Sequence, residues 1–199
     1  EALLIKANQH HIDCNYATAA RLYETAIELD PNDPTAHHWY AILLNNAGHT
    51  SRAYEHIQIA KEIDPLIAAI HGIEAEIYKA LGDYVNAEKS TRATASMGAF
   101  GGSLHRLGTV YLLAGETEKG KALIKNGLPG ESAEQTRLRQ LFLQMLDDPE
   151  NQSLYEQQIG KFKGGQTNEA SDTMDYLALL GSDYVFEYLS EAECVPVIE

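Results

Sequence analysis

Apolar residues recur along the chain at intervals of three and four, in blocks the length of a short helix. Each block ends at glycine, proline or a polar pair. The clearest block runs from Tyr16 to Leu29, where Ala19, Leu22, Tyr23, Ala26, Ile27 and Leu29 form one stripe suited to burial on a helix face. Before it, Ala2 to His11 reads as a helix, with Cys14-Asn15 as the turn between the two. After it, Asp30-Pro31-Asn32-Asp33-Pro34 interrupts the pattern, because proline lacks the N–H that continues a helix and pushes its predecessor out of helical geometry. Pro34 suits the first turn of the next helix and Asp33 suits its N-cap.

That next helix carries Trp39-Tyr40-Ala41-Ile42-Leu43-Leu44. Gly48 marks a turn, and Ser51 to Ile63 forms the following helix up to Asp64-Pro65. A third pair begins near Ile67 and turns at Leu81-Gly82-Asp83; its end is read as a break over Gly98-Ala99-Phe100-Gly101-Gly102. A fourth has Leu107-Gly108-Thr109-Val110-Tyr111 in its first helix, Gly115 at the turn and Lys119 to Asn126 in its second, closed by Gly127-Leu128-Pro129-Gly130. Further helices are expected over Ser132 to Leu146, Pro149 to Phe162, Ala170 to Leu180 and Tyr184 to Ala192, separated by Gly164-Gly165 and Gly181-Ser182-Asp183.

The blocks repeat. Ala53, Ile57, Ala60 and Pro65 stand thirty-four positions after Ala19, Tyr23, Ala26 and Pro31, and Lys61-Glu62-Ile63-Asp64-Pro65 nearly copies Ile27-Glu28-Leu29-Asp30-Pro31. Small residues also recur: Ala41, Ala75 and Gly108 on first helices, Ala19, Ala53, Ala87 and Gly120 on second helices, where close approach leaves no room for more. The period, with the Leu-Gly-x-x-Tyr pattern at Leu107, resembles the tetratricopeptide repeat. The resemblance implies an all-α, right-handed superhelical solenoid of antiparallel helix pairs, with about five to six repeats and no β-sheet. Four units are expected at 1–33, 34–66, 67–100 and 101–133, and 134–199 is read as two divergent helix pairs that act as C-terminal repeats or a cap.

Composition narrows the function. The chain has 199 residues and a formal charge of −14. Of that charge, −10 falls from Glu131 onward, which reads as a solvated acidic face. Such a chain is repelled by phosphate backbones, so no direct nucleic-acid contact is expected. No apolar run approaches the roughly 20 residues that span a bilayer, so no membrane contact is expected of this piece. It starts at Glu1 inside a helical pattern and is read as part of a longer protein. Cys14 and Cys194 lie near opposite ends, and in a stack where repeats touch only neighbours both are expected to be unpaired thiols.

Candidate chemistry is sparse. Gly115-Glu116-Thr117-Glu118-Lys119-Gly120-Lys121 has the spacing of a phosphate loop, but Ala122 follows where Ser or Thr would hold magnesium, no strand precedes it, and its acidic residues would repel phosphate. Eight histidines are present, and none are spaced as ligand pairs within a helix; His37 and His71 fall in one column a helix pair apart. Glu74 and Glu76 point to different faces of one helix, so they make no acid–base pair. Asn151-Gln152-Ser153 matches a glycosylation sequon, a frequent chance pattern. No catalytic set, cofactor or metal is read.

In tetratricopeptide proteins the first helices line a concave groove that binds peptides or partner helices. By resemblance, Asn8, His11, His38, Trp39, Asn45, Glu76, Lys79, His105 and Thr109 line it here. One subgroup clamps chaperone C-terminal carboxylates; Asn8 fits its pattern, whereas Leu4, Trp39, Ala69 and Ile73 occupy its other clamp positions, which argues against that ligand. The wording His37-His38-Trp39-Tyr40-Ala41 and Ile63-Asp64-Pro65-Leu66 also resembles the repeat regions of bacterial membrane-anchored winged-helix transcription regulators. Two readings follow: a non-catalytic scaffold that binds a partner protein or peptide, and a periplasmic sensory domain of such a regulator. The compartment is cytoplasmic under the first and periplasmic under the second. Phe162, Tyr184, Phe186 and Tyr188 near the cap suggest weak self-association, a monomer or weak dimer.

Overall fold

A computed structural model describes residues 1–98, 100–126, 133–148 and 150. Among them are nine α-helices and no strand: α1 (Ala2–Ile12), α2 (Tyr16–Leu29), α3 (Pro34–Asn46), α4 (Thr50–Ile63), α5 (Ala68–Ala80), α6 (Tyr84–Ser96), α7 (Phe100–Leu113), α8 (Thr117–Ile124) and α9 (Ala133–Asp147). They fall in two compact units, α1–α6 in one and α7–α9 in the other.

In the first unit, α1 packs on α2, α3 on α4 and α5 on α6, and each pair packs on the next. Residue choice at the junctions explains the pairing. Gly48 (φ 80°), Gly82 (φ 74°) and Gly115 (φ 81°) adopt left-handed backbone at the turns between α3 and α4, α5 and α6, and α7 and α8. Asp33 caps α3 by accepting from the Thr35 and Ala36 amides at 2.8 and 3.3 Å, and Pro34 takes the first helical position. Asp83 caps α6 through the Asn86 amide at 3.2 Å. The core joins Tyr23, Tyr40, Leu43, Leu44, Ile57, Ile70 and Ile77 with the alanines that let the helices close up.

In the second unit Leu107, Val110, Ile124, Phe142 and Met145 are buried. Gly108 and Gly120 mark the contact of α7 with α8: a Cβ at Gly120 would meet the Gly108 carbonyl oxygen at 2.8 Å. The Arg139 guanidinium of α9 donates to the Lys125 carbonyl at 2.8 Å, and Lys121 pairs with Asp147.

Two expectations change. The break at Gly98–Gly102 is shorter than read, because Phe100, Gly101 and Gly102 already belong to α7. Glycine is tolerable there since the first-turn N–H groups have no intrahelical partner to lose. Gly115 is the α7–α8 turn and Gly120 of α8 packs against α7, as the rejection of a phosphate loop over Gly115 to Lys121 expects. Among the described residues no cysteine is a free thiol, because Cys14 is disulfide-bonded. Cys14 also has φ 59° at a turn where the later pairs use glycine, a conformation that costs a side-chain residue roughly 1–2 kcal/mol. The helices read beyond Pro149, with Phe162, Tyr184, Phe186, Tyr188 and Cys194, lie outside the described residues.

Candidate functional site

The first helices α1, α3 and α5 lie side by side in the first unit. Two polar contacts cross between them. The Asn46 amide of α3 lies 3.5 Å from His11 Nε2 of α1, and His38 of α3 is hydrogen-bonded to the Ala69 backbone of α5. Burial pushes the pKa of His11 down; for His38, burial does the same and the Ala69 bond opposes it, with the net shift downward. The face therefore presents neutral imidazoles near pH 7. His11 meets the edge of Tyr16 at 5.5 Å, and His38 meets Trp39 at 5.3 Å, with Trp39 half-buried against the core.

The other residues of the expected groove divide by what already engages them. Asn8 accepts a 2.5 Å bond from the Tyr23 hydroxyl, so its carbonyl oxygen helps to lock α2 onto α1. Glu76 and Lys79 pair at 2.6 Å one turn apart on α5. Asn45 keeps a buried side-chain oxygen with no hydrogen-bond partner. Thr109 is 1% exposed and donates to the Arg106 carbonyl at 2.8 Å, so it is packing and offers nothing to a ligand. The side chain of His105 lies outside the described residues. His11, His38 and Trp39 thus remain partly exposed on α1 and α3, the Asn45 oxygen is buried, and the Glu76–Lys79 pair stands on α5.

Two polar networks, each anchored on a buried side chain, were missed in sequence. At the first, His37 and His56 face each other Nδ1 to Nδ1 at 2.9 Å, beside Tyr40, Glu24 and Arg52. At the second, thirty-four positions on, the Glu74 carboxylate is 1% exposed and accepts from Lys61 (2.7 Å), Gln58 (2.9 Å) and Ser90 (2.7 Å). Burial pushes the Glu74 carboxyl up, but these three bonds outweigh it and hold it below the usual carboxylate range. The signal was the offset itself. His37, Tyr40 and His56 align with His71, Glu74 and Ser90, and polar residues in such a column against the core need partners. Nothing in either network resembles a nucleophile with its base, and among the described residues no three His, Cys, Asp or Glu converge as a metal site.

A tetratricopeptide repeat profile matches residues 22–55, from within α2 through all of α3 to the start of α4. The fold is a tetratricopeptide repeat solenoid. Its solved likenesses agree: a thermophilic tetratricopeptide repeat protein of Thermus thermophilus is 22% identical with a TM-score of 0.67, over 90% of this chain and 97% of that one. PilF of Pseudomonas aeruginosa is 18% identical with a TM-score of 0.65, over 98% of this chain and 87% of that one. No curated protein matches the sequence. The tetratricopeptide fold is that of a protein–protein interaction scaffold, and proteins of this class are generally non-catalytic.

Proposed function

We propose that this chain is a non-catalytic interaction module that binds a partner protein or extended peptide across the first-helix face of α1, α3 and α5. The observation that carries the reading is the partial exposure of His11, His38 and Trp39 on α1 and α3: a half-buried indole and uncharged imidazoles. Aromatic anchors in such settings carry a large share of binding energy. Trp39→Ala together with His38→Ala should weaken the partner that co-purifies with the wild-type chain at least tenfold, while helical content by circular dichroism stays unchanged. Full retention of the partner by a folded double variant would move the site elsewhere.

The sensory-domain reading draws support from Cys14. Disulfides persist mainly in oxidising compartments, which fits a periplasmic placement better than a cytoplasmic one. In its native cells the chain should resist maleimide labelling after denaturation without reductant and take up label after reduction. Full labelling without reductant would count for the cytoplasm.

A further inference from the structure

The His37–His56 contact fixes the positions of its protons. His37 Nε2 lies 3.1 Å from the Pro31 carbonyl oxygen, which can only accept, so that nitrogen carries a proton. Neutral His37 then has a bare Nδ1, and His56 must donate to it from its own Nδ1 across 2.9 Å. Three of the four ring nitrogens are committed. A first added proton can go only to His56 Nε2, and a second would set two N–H groups against each other.

The surroundings resist even the first. Tyr40 of α3 lies with its ring centre 4.8 Å from that of His56 and donates its hydroxyl to Glu24 of α2 at 2.5 Å. Arg52 of α4 donates to the same hydroxyl at 3.0 Å and stands 3.6 Å from Glu24. The Glu24 charge is therefore shared with two partners before it meets a cationic His56. The contact survives while at least one ring is neutral and cannot form once both are charged, so the closed pair takes up fewer protons than the open one.

We propose that the His37–His56 pair is a proton-operated latch between α3 and α4, which opens on acidification and loosens the helix that carries His38 and Trp39. The matching column of the next repeat is built to ignore the same change. His71 makes the same clamp, Nε2 to the Pro65 carbonyl at 2.9 Å, yet its Nδ1 faces the Glu74 carboxylate at 3.6 Å, so a proton there meets a negative charge. Acid should thus act on α3–α4 and spare α5–α6. The direction agrees with titration: the His56 pKa is pushed down to about 4, by burial first and then by His37 and Arg52, with Glu24 opposing. A histidine held below its ordinary 6.5 takes up its proton more readily when the contact opens, so opening grows as pH falls from about 6.5 toward 4.

The test uses the whole chain. Imidazole nitrogen spectra of the wild type should show His37 as the Nε2–H tautomer and His56 as the Nδ1–H tautomer, with His56 titrating well below an exposed histidine. Hydrogen exchange, corrected for intrinsic rates, should show opening of α3–α4 growing by up to about tenfold per pH unit in that window relative to α5–α6. In His56→Gln, which keeps an N–H donor and cannot titrate, that excess should vanish. His56 titrating like a free histidine, α5–α6 loosening in parallel with α3–α4, or the excess persisting in His56→Gln would each overturn the latch. Should the variant not fold, the wild-type titration and exchange decide the matter alone.

Discussion

Glu74→Ala should lower the unfolding free energy by about 1–3 kcal/mol, the cost of leaving buried hydrogen-bond donors without their acceptor. The carboxylate joins three helices: Lys61 and Gln58 reach it from α4 and Ser90 from α6, while Glu74 itself stands on α5. Its removal strands three donors and opens a cavity where two repeats meet. Urea denaturation followed by circular dichroism would read the loss as a lower midpoint with an unchanged slope. Glu74→Gln keeps the shape and loses the charge, so it should fall between wild type and alanine. The pH dependence gives a second reading. Because the folded carboxyl sits below its ordinary value, its contribution is present above the unfolded pKa and is lost as pH falls through the folded one. Wild type should therefore lose its advantage over Glu74→Gln in acid. A loss under 1 kcal/mol for alanine would show that solvent replaces the network.

This network marks the boundary of what could be read in the sequence. Turn glycines, the Asp33 cap and small residues at Ala41, Ala53 and Gly108 were legible because each position admits few residue types: a left-handed turn, an exposed amide or a close helix contact selects them directly. Helix periodicity gave α2 its full span for the same reason. A buried Glu74 or His37 is different. Its tolerance depends on long side chains that arrive from helices sixteen or nineteen residues away, and no local rule announces those meetings. Aligning the sequence on its own period exposes them, as polar letters in a column that is leucine at Leu107.

The proposed binding face rests on resemblance to the repeat, which assigns it to the first helices, and His38 and Trp39 belong to one of these, α3. Thr109 and Asn8 were drawn into it because helical spacing alone cannot tell an accessible polar atom from one already satisfied inside. Thr109 follows Gly108 onto the buried side of α7, and Asn8 is taken by Tyr23. Cys14 was misread for another reason, since periodicity carries no record of which thiols meet.

Gly120→Ala tests the close approach of α7 and α8. On helix propensity alone alanine should gain about 1 kcal/mol over glycine inside a helix. The new Cβ, however, would stand 2.6 Å from Leu112 Cγ and 2.8 Å from the Gly108 carbonyl oxygen. Leu112 can turn aside, but the carbonyl belongs to α7 and moves only if the helices part. Overpacking of this kind costs about 1–3 kcal/mol, so the net effect should be destabilising, and Gly120→Val should be worse because it adds branching to the same clash. Gly108→Ala provides the comparison. Its Cβ meets Ile124 Cγ1 at 2.6 Å and the Gly120 carbonyl only at 3.1 Å, so a side-chain rotation relieves most of the conflict. Thermal unfolding should rank Gly120→Val below Gly120→Ala and Gly120→Ala below Gly108→Ala. Adding Leu112→Ala to Gly120→Ala should give little rescue, because the backbone contact remains. If that double variant instead recovered wild-type stability, the side chain and not the helix spacing would be the constraint.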